Sequence, residues 1–359
     1  MLQKLISILA LTGITLTACA PAAATVPIDT PADNQSATTA ATAAPPESTD
    51  TPEPEVVILG LSRVFSSLPL YIAIEEGYFA EQNIIVEVTE FESANVMLPV
   101  LAAGELDVAT GSLNSSLFNL VAQEPGVKIA ADKGYSDPEG CQTNAVIARR
   151  DLLESGAFED AQRVLSLVYS LSLTSPTSYI VDSWLHENHG LTLEELNTNL
   201  LPQAAVIDAF NTGAIDVAVV VEPSLSQVLA ATDTEIWLTY EGYLDQISSG
   251  LVMYGPGLVQ DNRELGQRFM VGYLKGVRQY LQGPTDRNLE IAAEIFDFEA
   301  DFLRGICWAA VRPDGRIDYA ATLPWQEWEL AAGRIDRIVT EAELWDPAFV
   351  EYAASMLGE

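Results

Sequence analysis

Residue types able to hold a small molecule recur in this chain just after short apolar runs. Ser62-Arg63, Ser66-Ser67, Thr110-Gly111-Ser112, Asn114, Lys133-Gly134-Tyr135, Thr174-Ser175, Thr177-Ser178 and Glu222 all hold such places. In open α/β sheets, ligands sit beyond the carboxyl ends of the strands. Three of these clusters also lead straight into helix starts: Ser66-Ser67, Ser112 to Ser115, and Ser175 to Ser178. Free backbone N–H groups and the positive end of the helix dipole favour an anion or another acceptor there. Any single serine of the set reads as a plain helix cap; convergence of the set points to binding. Arg63 and Lys133 are candidate cations for the same ligand, or solvated side chains. Tyr135, Tyr179, Tyr240 and Tyr243 offer flat apolar walls with a polar handle, or core packing. Glu222 opposes a purely anionic ligand, because a buried like charge costs several kcal/mol unless it is paired or protonated. It fits a ligand that carries an amine, an amide or a ring N–H.

Catalytic chemistry is poorly represented. His186-Glu187-Asn188-His189 contains the only two histidines of the chain. It lacks the i,i+4 pair of a zinc helix, and no Gly-x-Ser-x-Gly elbow is present. No metal, cofactor or catalytic residue is expected.

The elements that must position these residues alternate between strand and helix. Val56-Val57-Ile58-Leu59-Gly60-Leu61, Ile84 to Val88, Leu106 to Ala109 and Val127 to Ala130 read as buried strands. Helical spacing separates them, beginning with Ser66 or Ser67 as cap and Pro69 in the first turn. The order argues a mostly parallel sheet flanked by helices. Ala145 to Ala148 and Val164 to Tyr169 restart the pattern, followed by a helix from Ser175-Pro176 to Gly190 and a strand from Ile215 to Val221. Leu251 to Tyr254 is a last strand before long helical segments. One phrase occurs twice: Ala103-Gly104-Glu105-Leu106-Asp107-Val108-Ala109 returns as Thr212-Gly213-Ala214-Ile215-Asp216-Val217-Ala218. Each copy reads as a helix stopped by a left-handed glycine and followed by a short buried strand. Two α/β lobes on one plan produce such an echo, and a cleft between lobes is where small molecules bind.

Residues 1–18 read as an export signal, with Lys4 ahead of a short apolar run. Leu16-Thr17-Ala18-Cys19 resembles the bacterial lipobox, which implies cleavage before Cys19 and its lipidation. Residues 19–55 are dominated by Ala, Thr, Pro, Ser, Asp and Glu, a tether too polar to bury a core. The formal net charge of −34 argues against nucleic-acid binding and against a polybasic membrane patch. With Cys19 assigned, Cys141 and Cys307 remain, either bonded to each other or present as two separate thiols.

Taken together, Pro69-Leu70-Tyr71-Ile72-Ala73, Glu76-Gly77-Tyr78-Phe79 and Gly104 to Ala109 resemble the nitrate, sulfonate and pyrimidine-precursor substrate-binding proteins of ABC importers. Asp132-Lys133-Gly134, Ser175 to Tyr179, Gly213 to Val217, Glu222-Pro223, the segment Arg268-Phe269 to Tyr280 and Pro313-Asp314-Gly315-Arg316-Ile317 continue the resemblance in order. It covers the body from Val56 to Gly358. Asn83 stands where glycine is usual, which asparagine's tolerance of the left-handed region allows, and Glu222 stands where several relatives place an aromatic or polar group. The resemblance implies an α/β, two-lobed type II periplasmic binding protein fold, with mostly parallel sheets and a ligand cleft between the lobes. It divides the chain into residues 56–142 (lobe I), 143–247 (lobe II) and 248–359 (lobe I again, with C-terminal helices). Crossings are expected near Gly140 to Asn144 and Ile247 to Gly250. The implied partners are a small-molecule ligand and the permease and ATPase subunits of an importer, for a monomer held on the outer face of the cell membrane by its lipid. A pyrimidine-like nitrogen heterocycle is the expected ligand, with nitrate or an alkanesulfonate as the alternative. An enzyme on the same fold, of the thiamine-pyrimidine synthase kind, is disfavoured because no clustered cysteines occur. A receptor that feeds a sensor is a third reading.

Overall fold

Short β-branched runs bounded by glycine and polar turns become ten strands in the computed structural model, which describes residues 53–91 and 94–358. The expectations for the leader and for Cys19 lie outside the described residues. In chain order the strands are β1 (Glu55–Leu61), β2 (Ile84–Glu90), β3 (Val108–Ser112), β4 (Lys128–Tyr135) and β5 (Asn144–Arg149). There follow β6 (Val168–Ser170), β7 (Asn197–Thr198), β8 (Val217–Val221), β9 (Thr234–Leu238) and β10 (Ser248–Tyr254). They form two five-stranded sheets, ordered β2-β1-β3-β10-β4 and β7-β6-β8-β5-β9.

The two orders are the same order written twice. In each, the central strand pairs in parallel with its neighbour (β1 with β3, β6 with β8), and one strand is inserted in reverse. That reversed strand is β10 in the first sheet and β5 in the second. Four strands of each sheet run the same way and one is reversed, so the sheets are mixed but mostly parallel in direction. The physical reason lies in the crossings: β5 and β10 are the strands by which the chain enters each sheet from the other, so they run against the rest.

The duplicated phrase occupies equivalent places. Gly104 and Gly213 adopt positive φ values of 74° and 70° and end the helices Ala94–Ala102 and Val206–Asn211. Asp107 and Asp216 then do one job twice. The Asp107 carboxylate accepts the Ile58 N–H of β1 at 2.8 Å, and the Asp216 carboxylate accepts the Val168 N–H of β6 at 2.9 Å. Each aspartate pins the neighbouring parallel strand in register.

The Val164 to Tyr169 run is the clearest departure from the sequence reading. Asp160 accepts the N–H groups of Gln162 and Arg163 and starts a helix over Ala161–Ser166, leaving only Val168–Ser170 as strand. β7 and β9 have no counterpart in the sequence reading.

Both faces of the second sheet carry their own apolar core, while a larger core spans the first sheet and the C-terminal helices. That larger core takes in Ile180, Tyr240 and Leu244 from the second half. The helix Leu323–Ala331 adds polar ties to it: the Trp328 indole donates to Asp182 at 2.6 Å, and Arg334 bridges Glu329 and Glu194. Cys141 and Cys307 form a disulfide with Cα atoms 5.7 Å apart, which decides between the two states left open. Among the described residues no helix is long and apolar enough to cross a membrane.

Candidate functional site

The carboxyl ends of β1, β3 and β4 face those of β6 and β8 across a cavity of about 370 Å³. From the first sheet come Ser62, Ser66, Ser112 and Lys133; from the second half come Ser175, Thr177, Glu222 and Tyr240. These eight of the sequence candidates share one wall system. Phe65, Leu171, Leu200, Val219 and Val221 supply the apolar part.

The other seven candidates point elsewhere or stand behind the wall. Arg63 pairs with Glu90 at 3.3 Å on the surface, both side chains 54% exposed. Ser67 is buried, donates to the Ser62 carbonyl and lies 3.4 Å from the Lys133 ammonium. Thr110 is buried and donates to the Gly60 carbonyl. Asn114 caps the helix Ser115–Gln123 by accepting the Leu117 N–H. Tyr135 lies under the Arg312 guanidinium, 4.1 Å from the ring centre. Thr174 and Ser178 are tied to Ser172 in the turn that precedes the helix Pro176–His189. Tyr179 packs edge-on against Trp328, and a ring nitrogen of His189 bonds the Phe158 carbonyl.

Several lining residues escaped the sequence reading: Thr143, Asn144, Ser172, Gln203 and Ser249. Ser172 follows the end of β6 and obeys the rule that found Thr174. Thr143, Asn144 and Ser249 stand at the beginnings of β5 and β10. Those strands run in reverse, so their N-terminal ends meet the cavity, and apolar periodicity carries no direction.

Lys133 is the only cation among the described residues of the cavity wall, and Glu222 the only carboxylate. The Lys133 ammonium donates to Ser66 Oγ at 2.7 Å and makes no ion pair among the described residues. Burial pulls its pKa down to about 7, opposed by the charge of Asp132. Asp132 itself is pushed up to about 6 by burial, opposed by hydrogen bonds that include the Arg312 N–H. Neighbours along a strand project to opposite faces, so Asp132 and Lys133 are adjacent in sequence without forming a pair. Desolvation outweighs the Asp132 charge at Lys133, and at Asp132 it outweighs the Arg312 guanidinium 3.7 Å away and the hydrogen bonds.

Glu222 follows β8 and precedes the helix Ser224–Ala231. Its carboxylate accepts the Ser226 N–H at 3.1 Å and the Ser226 hydroxyl at 2.7 Å. Burial nonetheless raises its pKa. A carboxylate has about four lone-pair sites, so it can still accept from a ligand. Tyr240 is buried, shares a 2.9 Å hydrogen bond with Thr177, and has its hydroxyl pKa pushed up to about 12. The arrangement offers an anchored cation with hydroxyls on one side and an anchored carboxylate with an aromatic wall on the other.

A family model described as the NMT1-like family matches residues 50–240, more than half of the 359-residue chain. No curated protein matches the sequence. The fold is similar to the ligand-binding component of an ABC-type import system from Staphylococcus aureus, solved with zinc bound. There the TM-score is 0.67 at 13% identity, covering 83% of this chain and 99% of that one. It is similar to the periplasmic aliphatic sulphonate binding protein SsuA from Escherichia coli, with a TM-score of 0.65 and 12% identity over 82% and 93% of the two chains. A desulfurization enzyme, DSZB, has a related fold, with a TM-score of 0.57 and 12% identity over 84% and 99%.

Proposed function

The chain belongs to the NMT1-like family, and from that premise we propose that it is an exported solute-binding protein that hands a small organic molecule to an ABC importer. Similarity in fold to import-system binding proteins supports the class. The observation that carries the reading is the pair of buried, oppositely charged side chains, Lys133 and Glu222, on facing sides of one cavity and without an ion-pair partner among the described residues. Burying either charge without a partner is costly, so a ligand that complements both is favoured. The cavity volume lies within the usual range for small-molecule sites.

The ligand we propose carries an acceptor or anionic group for Lys133, Ser66 and Ser112, and a donor for Glu222. Phe65 and Tyr240 would flank a flat ring. A pyrimidine-like nitrogen heterocycle meets these terms. Replacing Glu222 with Gln is expected to weaken such a donor-bearing ligand by about 1–3 kcal/mol in isothermal titration, the cost of losing a charged hydrogen-bond partner. Unchanged binding, or tighter binding of a bare sulfonate, would remove the heterocycle reading.

A second reading, an alkanesulfonate or nitrate, is favoured by Lys133 and its serine hydroxyls and by the sulphonate-binding relative in fold. Glu222 weighs against it. Nitrate would also leave most of the cavity to water.

The lipobox-like run Leu16 to Cys19 supports the further proposal that the protein is tethered to the outer face of the membrane through a lipid on Cys19. Cys19→Ala should then release it into the soluble fraction or block its processing. Normal cleavage with continued membrane fractionation would exclude the anchor.

A further inference from the structure

The chain passes between the two sheets twice, over residues 136–143 and over residues 239–247. Both crossings carry residues of the cavity wall. Thr143 ends the first; Tyr240 lies near the start of the second, and Ser249 and Gly250 follow its end. The backbone angles of a crossing therefore decide how one wall faces the other. One residue of the second crossing holds an unfavourable conformation. Gln246 has a φ of 65°, in the left-handed region. Among the described residues that bear a side chain, only Asn83 and Asp297 share that region, and their short polar side chains tolerate it. Glutamine lacks that local compensation.

Gln246 is also where the two crossings meet. Its N–H donates to the Ser136 carbonyl at 2.8 Å, and the Ser136 N–H donates to the Ile247 carbonyl at 2.9 Å. Arg312 holds the same point through its guanidinium. Nη2 donates to the Gln246 carbonyl at 2.8 Å and to the Gln246 side-chain oxygen at 3.2 Å, while Nη1 donates to Ser248 Oγ at 2.8 Å. The guanidinium lies over the Tyr135 ring at the end of β4, and the Arg312 backbone N–H donates to Asp132. A planar fork reaches a carbonyl and a hydroxyl two residues apart at the same time, which the compact ammonium of a lysine does not.

We propose that Gln246 is a hinge of the second crossing, and that Arg312 is the positioning residue that catches it in the left-handed form and so keeps the two walls of the cavity facing each other. Hinges are a few loop residues that absorb a change in φ and ψ. Left to itself, Gln246 favours a negative φ, which turns the chain between Tyr240 and Ser249 another way. The guanidinium supplies the hold that the residue type does not. Releasing it moves one sheet relative to the other and leaves each sheet intact.

This inference rests on reading the cavity as the ligand site, but its test uses no ligand, so it can fail while that reading stands. Hydrogen–deuterium exchange and small-angle scattering are measured on the ligand-free full chain, on Arg312→Lys, and on Arg312→Lys combined with Gln246→Gly. Arg312→Lys should raise exchange about tenfold or more at Ser136 and Gln246, with the strands of both sheets as protected as before. Its radius of gyration should increase. Adding Gln246→Gly should reverse most of both changes, because glycine takes a positive φ without help. Should Arg312→Lys not fold, Ser248→Ala removes one acceptor of the guanidinium and must give the same local rise in exchange. A lowered Tm with unchanged exchange and radius would make Arg312 a tie of the fold alone and overturn the proposal. A rise spread over both sheets, a double variant no more compact than Arg312→Lys, or unchanged exchange in Ser248→Ala would overturn it as well.

Discussion

Lys133 carries an expectation that needs no ligand. Its ammonium is buried among serine hydroxyls, and its pKa falls from an ordinary 10.5 to about 7. The unfolded chain therefore binds more protons than the folded one between about pH 7 and 10.5. Stability consequently rises with pH across that window, by up to about 1.4 kcal/mol per pH unit from this residue alone. Below pH 7 both states hold the proton and the cost of burying the charge is felt in full. Denaturant melts at pH 7, 8 and 9 should show this rise in the wild-type protein and lose it in Lys133→Met. A parallel pH dependence in the variant would mean that Lys133 is not the group responsible. Eight of the fifteen binding candidates reached the cavity wall because residues after buried strands are legible from apolar patterning. Arg63, Tyr135 and Asn114 did not, because side-chain aim, a cation–π partner and a helix cap are tertiary facts.

At the scale of elements, the echoed phrase was legible as helix, glycine and strand, and both copies take that form. What could not be read was why each copy holds an aspartate. Asp107 and Asp216 fall within the expected buried strands, where an acidic residue has no evident partner in sequence, yet each closes the gap to a strand far away in the chain. Asp216→Ala is expected to cost about 1–3 kcal/mol, since it leaves the Val168 N–H without its acceptor and removes a partner of Arg149. Urea unfolding would report it, and a loss within error would show that water replaces the carboxylate. The Val164 to Tyr169 run misled for a related reason. Its residues favour a strand, but the Asp160 cap supplies the first helical N–H groups with an acceptor, and the helix takes half of the run. The mixed sheets follow the same rule: strand character is local, whereas strand direction is set by where the chain comes from.

At the scale of the whole molecule, charge and site chemistry part company. The chain has 51 acidic and 17 basic residues, yet the cavity wall holds one cation and one carboxylate among its described residues. The acidic surface therefore speaks to solubility and to the exclusion of nucleic acid, and the ligand is read from Lys133 and Glu222 instead. Two sheets of one strand order, joined by two crossings and fastened by Cys141–Cys307 and by Trp328 on Asp182, place those two side chains face to face. The most direct test is a thermal-shift screen of the purified protein against pyrimidines, alkanesulfonates, nitrate, flavins and aromatic carboxylates. A ligand that binds only the folded state at about one hundred times its Kd adds about 2.7 kcal/mol of stability, enough to raise the Tm measurably. A heterocycle with both acceptor and donor groups should give that rise, and Lys133→Met should abolish it. No shift with any compound, or a shift of equal size in Lys133→Met, would contradict capture of a small molecule in this cavity.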